Sequence, residues 1–228
     1  MIRTIFVSSS RKRRFVGRLL RWYARHGRDL PWRRTRNPYR ILVSEIMLQQ
    51  TPVSRVIPKY REWLRRYPSF EALARASVRE VRETWYPLGY NIRPRRLRDI
   101  ARTVLKRHRG VLPPTKDALL ALKGIGPYTA GALLTFAHGQ AEAIVDTNVR
   151  RVLRRVFWGR RTASDRQLWA LSAALLPSRE AYNFNQALMD FGATVCTARA
   201  PRCPSCPMRR LCVAYTSTRS GVDACTRL

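Results

Sequence analysis

Leu122-Lys-Gly-Ile-Gly-Pro-Tyr-Thr-Ala-Gly131 is the most informative segment of the chain. Two glycines one residue apart, Gly124 and Gly126, let the backbone turn tightly between two helices. Pro127 suits the first position of the second helix, whose free N–H groups can then hold an anion. On these residues alone an ordinary αα-hairpin with a glycine turn would read the same. The surrounding L-x-G-I-G-P-Y-T-A-G pattern together with the charge of the whole chain points to a DNA phosphate, with Lys123, Gly124, Ile125, Gly126, Tyr128 and Thr129 as the expected contacting residues.

That charge is +31, from 45 Lys+Arg against 14 Asp+Glu in 228 residues. Only Lys12, Lys59, Lys106, Lys116 and Lys123 are lysines; the rest are arginines, which pair with phosphate through two parallel hydrogen bonds. So large an excess repels itself unless a polyanion is the usual partner, although a coding bias towards Arg would contribute as well. Binding to DNA is then expected to weaken steeply with salt. Hydrophobic residues make up 45%, which excludes a disordered chain and allows one large domain or two small ones. No run is long enough to span a membrane, and the first ten residues are too short an apolar stretch for a signal peptide.

Outward from the hairpin, apolar residues recur at i, i+3, i+4 and i+7, and strand signals are sparse. The spacing predicts about ten helices: one around Phe15–Tyr23 that stops near Gly27 and Pro31, then 39–50, 53–67, 70–76, 78–85, 95–107, 116–122, 128–137, 149–157 capped by Asp146, 167–176 and 182–192. The expected fold class is all-α.

Four of the five cysteines form the pattern Cys196-x6-Cys203-x2-Cys206-x5-Cys212. Four thiolates in one short loop can satisfy one metal centre, and by spacing alone zinc and a [4Fe–4S] cluster are both open. In the reducing interior expected for this protein, disulfides are disfavoured. Cys225 falls outside the pattern and is expected to be a free thiol in a tail.

Acids are scarce, so those flanked by apolar residues stand out. Glu45 lies within Ile41-Leu-Val-Ser-Glu-Ile-Met-Leu48. A carboxyl among aliphatics is costly to ionise, so its pKa is expected to rise, which suits a general acid near neutral pH. The plain alternative is a buried, structurally satisfied glutamate. Asp146 precedes a helix and reads as an N-cap. A capped aspartate stays ionised and oriented, as a developing oxocarbenium ion requires.

The hairpin segment resembles that of the helix-hairpin-helix base-excision glycosylases, the superfamily of endonuclease III and the MutY-like adenine glycosylases. The resemblance covers about residues 28–215, and the 6-2-5 cysteine spacing matches the [4Fe–4S] loop of that superfamily. Leu30-Pro-Trp-Arg33, Asn37-Pro-Tyr39, Val43-Ser-Glu-Ile-Met-Leu-Gln-Gln-Thr51, Leu88-Gly-Tyr90, Val145-Asp-Thr-Asn148 and Phe184-Asn-Gln-Ala-Leu-Met-Asp-Phe-Gly192 fall in register with MutY-like sequences.

The resemblance implies a monofunctional glycosylase that flips a mispaired base from duplex DNA and hydrolyses its N-glycosidic bond. Glu45 would protonate the leaving adenine at N7, and Asp146 would stabilise the sugar cation. Tyr128 and Asn148 would support them. Trp32, Arg33 and Gln186 would line the base pocket, and Gln50, Leu88 and Tyr90 would form the wedge. Packed aromatics would equally explain Trp32 and Tyr90, a helix-end amide Gln50, and a completed cap Asn148. The cluster would brace a loop whose Arg199, Arg202, Arg209 and Arg210 face phosphates. In endonuclease III-like members a lysine at the position of Tyr128 forms a Schiff base with the sugar; Tyr128 cannot, so strand cleavage is not expected.

Two departures bear on the substrate. MutY proteins usually carry a further domain after the cysteine loop that reads 8-oxoguanine, whereas this chain ends soon after Cys212. Asn91 stands where a second Tyr is frequent. Short members include thymine/uracil–guanine mismatch glycosylases with the same Glu, Tyr and Asp. The expected substrate is adenine opposite 8-oxoguanine or guanine, with thymine or uracil opposite guanine as the alternative. A non-catalytic iron–sulfur DNA-binding protein, an abasic-site lyase and an electron-transfer protein are the readings from other classes. The resemblance also implies two lobes with DNA across the cleft between them: 32–142 with the hairpin, and 11–31 plus 143–214 with the cluster, followed by a tail at 215–228. A monomer in the cytoplasm, associated with the nucleoid and not with membrane, is expected.

Overall fold

The computed structural model describes residues 7–217. They are helical throughout, in two compact units: Asp29–Gln140, and the residues up to Arg28 together with those from Ala141 onward. Among them no helix is long and apolar enough to cross a membrane. Cys225 and the tail beyond residue 217 lie outside the described residues.

The first unit is built round α2 (Pro38–Leu48), which is buried on every side from Ile41 to Met47. Asn37 caps it by accepting the N–H of Arg40 at 3.1 Å. Helices α3 (Val53–Arg66), α6 (Ile92–His108) and α8 (Pro127–Phe136) pack against it. The short α4 (Phe70–Arg75) and α5 (Val78–Trp85) cover α6, and α7 (Lys116–Leu120) pairs with α8. The α5 start is a full capping box between Ser77 and Glu80. Trp63 and Trp85 meet edge to face at 5.4 Å, and Tyr39 meets Phe70 at 4.9 Å. Each such buried aromatic contributes roughly 1.5–3 kcal/mol.

In the second unit α11 (Ala181–Thr194) is the hub, packed on α1 (Ser9–His26) and α9 (Thr147–Leu153). Helix α10 (Asp165–Leu175) lies against α9, and α12 (Val213–Thr216) closes the chain described. Helix α1 buries only Phe15 and Leu19 fully, with Trp22 edge-on to Phe191 at 5.2 Å; Arg13, Arg14, Arg21 and Arg25 are exposed, while Arg11 donates to the carbonyls of Val156 and Leu211 and Arg18 to that of Pro207.

Three helix boundaries differ from the periodicity reading. The helix expected to run to residue 50 stops at Leu48, because Gln50 takes the left-handed conformation (φ 54°). The helix expected from residue 95 begins at Ile92, one turn earlier. The stretch 149–157 is not one α-helix: α9 ends at Leu153 and a wider, π-type turn spans Arg154–Trp158. The wider turn buries four consecutive residues, Arg155 to Trp158.

Candidate active site and nucleic-acid interface

Asp146 is the N-cap of α9. Its Oδ1 accepts the N–H of Val149 at 2.7 Å, and its Oδ2 accepts the side-chain amide of Asn148 at 3.0 Å. Both carboxylate oxygens are thereby oriented, and a cap of this kind contributes about 1 kcal/mol. Asn148 is itself held: its Oδ1 accepts from Nη2 of Arg151 at 2.8 Å. Arg151 continues to the carbonyls of Gly192 (2.6 Å) and Cys196 (2.8 Å). Burial lowers the pKa of its guanidinium, while Cys196 and Asp146 raise it. Helix α11 can approach α9 this closely because residue 192 is glycine; a Cβ there would stand 2.6 Å from Cβ of Asn148. Gln186 is buried on the same helix, as is Asp190, which accepts the N–H and Nε of Arg28 at 2.9 and 2.8 Å.

The cysteine loop begins where α11 ends. Cys212 is buried, and Cys196, Cys203 and Cys206 are half-buried against the hydrophobic core of the second unit. The loop folds back on itself through Arg202 N–H to Val195 O (2.9 Å) and Cys206 N–H to Cys203 O (3.2 Å). Arg155, fully buried in the π-type turn, donates to the carbonyls of Thr197 (2.6 Å) and Ala198 (2.9 Å), and to Sγ of Cys196 at 3.6 Å. Sγ of Cys212 donates to Arg155 O at 3.4 Å. The donor set, four thiols from one loop, fits an iron–sulfur cluster. Among the described residues no three His, Cys, Asp or Glu side chains are gathered as ligands of a single metal ion. Arg199, Arg202, Arg209 and Arg210 are all exposed.

In the Asp29–Gln140 unit, Glu45 lies on the central helix α2 and is 5% exposed. The hairpin forms as α7, a turn and α8. Gly124 has φ +106°, which glycine adopts at low cost and a side chain does not. Gly126 is the N-cap of α8 and Pro127 its first residue, so the helix opens without a side-chain cap. Lys123 and Gly126 are exposed, Gly124 and Tyr128 half-buried, Ile125 and Thr129 buried. Trp32 is buried in a 3-10 turn at Pro31–Arg33, edge-on to Tyr60 at 5.4 Å, with Arg33 half-buried beside it. Burial pushes the Tyr60 phenol up to about 12.

Gln50 and Tyr90 are both exposed and both left-handed, with φ 54° and 48°, while Leu88 between their loops is buried. What joins those loops is Arg93, which the motif reading missed along with Arg151 and Arg155. A signal for Arg93 existed: it lies four residues before Leu97, in line with Ile100 and Val104 on the apolar face of α6.

A glycine-turned helix pair whose second helix opens without a side-chain cap, in an all-helical chain of this charge, defines a helix-hairpin-helix protein. Residues 43–178 match the family described as HhH-GPD superfamily base excision DNA repair protein, and the chain belongs to that superfamily. It is 48% identical over 195 residues to the adenine DNA glycosylase of Mycobacterium tuberculosis, covering 83% of this chain and 64% of that protein. The chain therefore spans a little under two thirds of that relative's length. It is 39% identical over 211 residues to the thymine/uracil-DNA glycosylase of Pyrobaculum aerophilum, covering 89% of this chain and 92% of that one. The solved structure of a thermostable thymine-DNA glycosylase superposes with a TM-score of 0.87 at 34% identity, over 92% of this chain and 98% of that one.

Proposed function

We propose that the protein is a monofunctional DNA glycosylase of base-excision repair that releases adenine mispaired with 8-oxoguanine or guanine. The observation that carries this reading is the carboxylate of Asp146, oriented at one oxygen by a helix N-terminus and at the other by Asn148. A fixed anion without a lysine to form a Schiff base is what hydrolysis through an oxocarbenium-like sugar calls for. In this reading the N-terminus of α8 and Lys123 grip a phosphate. Gln50 and Tyr90 fill the gap left in the stack, with Leu88 buried in the loop that leads into Tyr90, and Trp32 and Arg33 receive the extruded base. Glu45 in its neutral form delivers a proton to N7 of adenine, and Tyr128 supports it. As the C1′–N9 bond breaks, its electron pair stays with the protonated base, and Asp146 offsets the charge on the sugar until water adds at C1′.

Cys196, Cys203, Cys206 and Cys212 hold a [4Fe–4S] cluster in this proposal. When bound, that group supplies iron–thiolate bonds that cross-link the loop presenting Arg199, Arg202, Arg209 and Arg210 to the DNA backbone. The partner is double-stranded DNA with a mismatched or damaged base, met by a monomer in the cytoplasm, at the nucleoid.

A second reading, release of thymine or uracil opposite guanine, is favoured by the full-length match to the Pyrobaculum aerophilum thymine/uracil enzyme. Duplexes bearing A:8-oxoG, A:G, T:G and U:G, treated with alkali after incubation, separate the two. Alkali-dependent cleavage at adenine is expected; cleavage confined to T:G and U:G would establish the second reading. Cleavage without alkali, or a covalent adduct trapped by borohydride, would overturn monofunctional hydrolysis.

A further inference from the structure

We infer that Arg93 is the positioning residue of the DNA wedge, a clamp that fixes Gln50 and Tyr90 from behind as one preformed, two-tipped probe. The inference rests on the wedge role proposed above for those two side chains.

Arg93 is 3% exposed, and its guanidinium bonds to two separate loops. Nη1 donates to the carbonyls of Ile46 (3.1 Å), Met47 (3.0 Å) and Gln49, which are the last carbonyls of α2 and the residue after it. These have no partner inside the helix and carry the negative end of its dipole. Nη2 donates to Thr51 Oγ1 (3.0 Å) and to the carbonyls of Leu88 (3.1 Å) and Gly89 (3.2 Å). Residues 49 and 51 flank Gln50, and residues 88 and 89 lead directly into Tyr90. One planar fork thus grips the chain on both sides of one tip and at the entry to the other. A lysine, with a single nitrogen, could not span these six acceptors.

The tips themselves are strained. Gln50 and Tyr90 are left-handed, where a side chain costs about 1–2 kcal/mol per residue. The other left-handed non-glycine residue described, Arg109, ends α6 beside Gly110 in an ordinary helix stop. Strain persists where surrounding structure over-determines it, and it gathers at functional sites. The aromatic packing points the same way. The rings of Trp85 and Tyr90 both lie against the guanidinium, at 5.1 and 5.2 Å, and Trp85 Nε1 donates to Gly89 O at 2.9 Å. Tyr90 nonetheless remains 59% exposed. Nε of Arg93 is buried without a partner, a concession that stability alone does not explain. A probe that takes a base's place in the stack must withstand an extrusion cost of a few kcal/mol. A loop able to relax would yield instead, so the clamp supplies preorganisation.

The test measures single-turnover release of the base that the wild type removes, in two contexts: opposite its mismatch partner, and opposite an abasic-site analogue, where little unstacking is needed. Arg93→Met is expected to slow release from the mismatch by about tenfold or more, ~1.4 kcal/mol of barrier, while release opposite the abasic analogue changes by less than about threefold. Arg93→Lys should fall between. Thr51→Val, which removes one anchor at nearly constant volume, should show the same selective loss more weakly, and it decides the matter if Arg93→Met does not fold. Equal losses in both contexts would make Arg93 a merely structural residue, and no loss in either would leave the wedge independent of it; each overturns the inference while the glycosylase reading stands. No release by the wild type in any context would remove both.

Discussion

The side-chain amide of Asn148 donates to Oδ2 of Asp146 at 3.0 Å, so the carboxylate proposed to face the sugar is steered by a neighbour two residues along its own helix. Asn148 is steered in turn by Arg151, whose guanidinium also holds Gly192 O and Cys196 O. Asn148→Ala removes the donor and leaves the Val149 cap intact. Base release is expected to fall about ten- to a hundredfold, with duplex affinity within about threefold, as for one lost charge-assisted hydrogen bond. Single-turnover rates and a binding titration check this; an unchanged rate would show that the cap alone positions Asp146.

Gly192→Ala tests the same geometry from the opposite helix. The new Cβ would meet Cβ of Asn148 at 2.6 Å and its backbone at 3.1 Å, where no rotamer change gives relief. Helices α9 and α11 must separate, at an overpacking cost of about 1–3 kcal/mol. A lower melting temperature is expected together with a loss of release comparable to that of Asn148→Ala. A destabilised variant with full activity would uncouple helix spacing from the carboxylate.

Asp190 is fully buried and takes three hydrogen bonds or ion contacts from Arg28 alone, at 2.7 to 2.9 Å. Asp190→Ala leaves a guanidinium and a backbone N–H short of an acceptor, and because the Arg28 side chain is 29% exposed and can be hydrated, the expected loss is about 1–3 kcal/mol. Chemical denaturation measures it directly. A loss below about 1 kcal/mol would mean that the pair barely offsets its own desolvation.

Removal of the proposed cluster should act on DNA binding before chemistry. Cys206→Ser is expected to carry little iron or labile sulfide, and to bind duplex with a shallower dependence of affinity on salt, since the arginines of the loop lose their fixed register. Iron analysis and titrations at several salt concentrations check both. Iron-free wild-type protein with undiminished affinity and salt slope would assign the four thiols another role.

Several of these features were readable from residues, and others were not, for identifiable reasons. Gly124, Gly126 and Pro127 restrict backbone angles locally, so the hairpin turn and the start of α8 follow from identity alone. Asp146 before Val149 reads as a cap because the bond is made within three residues. Glu45 among aliphatics reads as buried because Ile41 to Val43 and Ile46 to Leu48 flank it on both sides. The end of α2 was misread, since the left-handed stop falls on Gln50 and not on Gly or Asn. Arg93 and Arg155 were missed because an arginine ordinarily reads as surface, and both are held inside by carbonyls distant in sequence, those of residues 46, 47 and 49 and of residues 197 and 198. The π-type turn at Arg154–Trp158 shares that cause: Arg155 reaches inward for the cysteine loop.

Single-turnover release of adenine from an A:8-oxoG duplex by wild type and by Asp146→Asn bears most directly on the proposal that Asp146 is the catalytic anion. The substitution keeps the shape of the side chain and removes its charge. Release is expected to fall by about a hundred- to a thousandfold, with duplex binding preserved. Release at the wild-type rate would contradict the account.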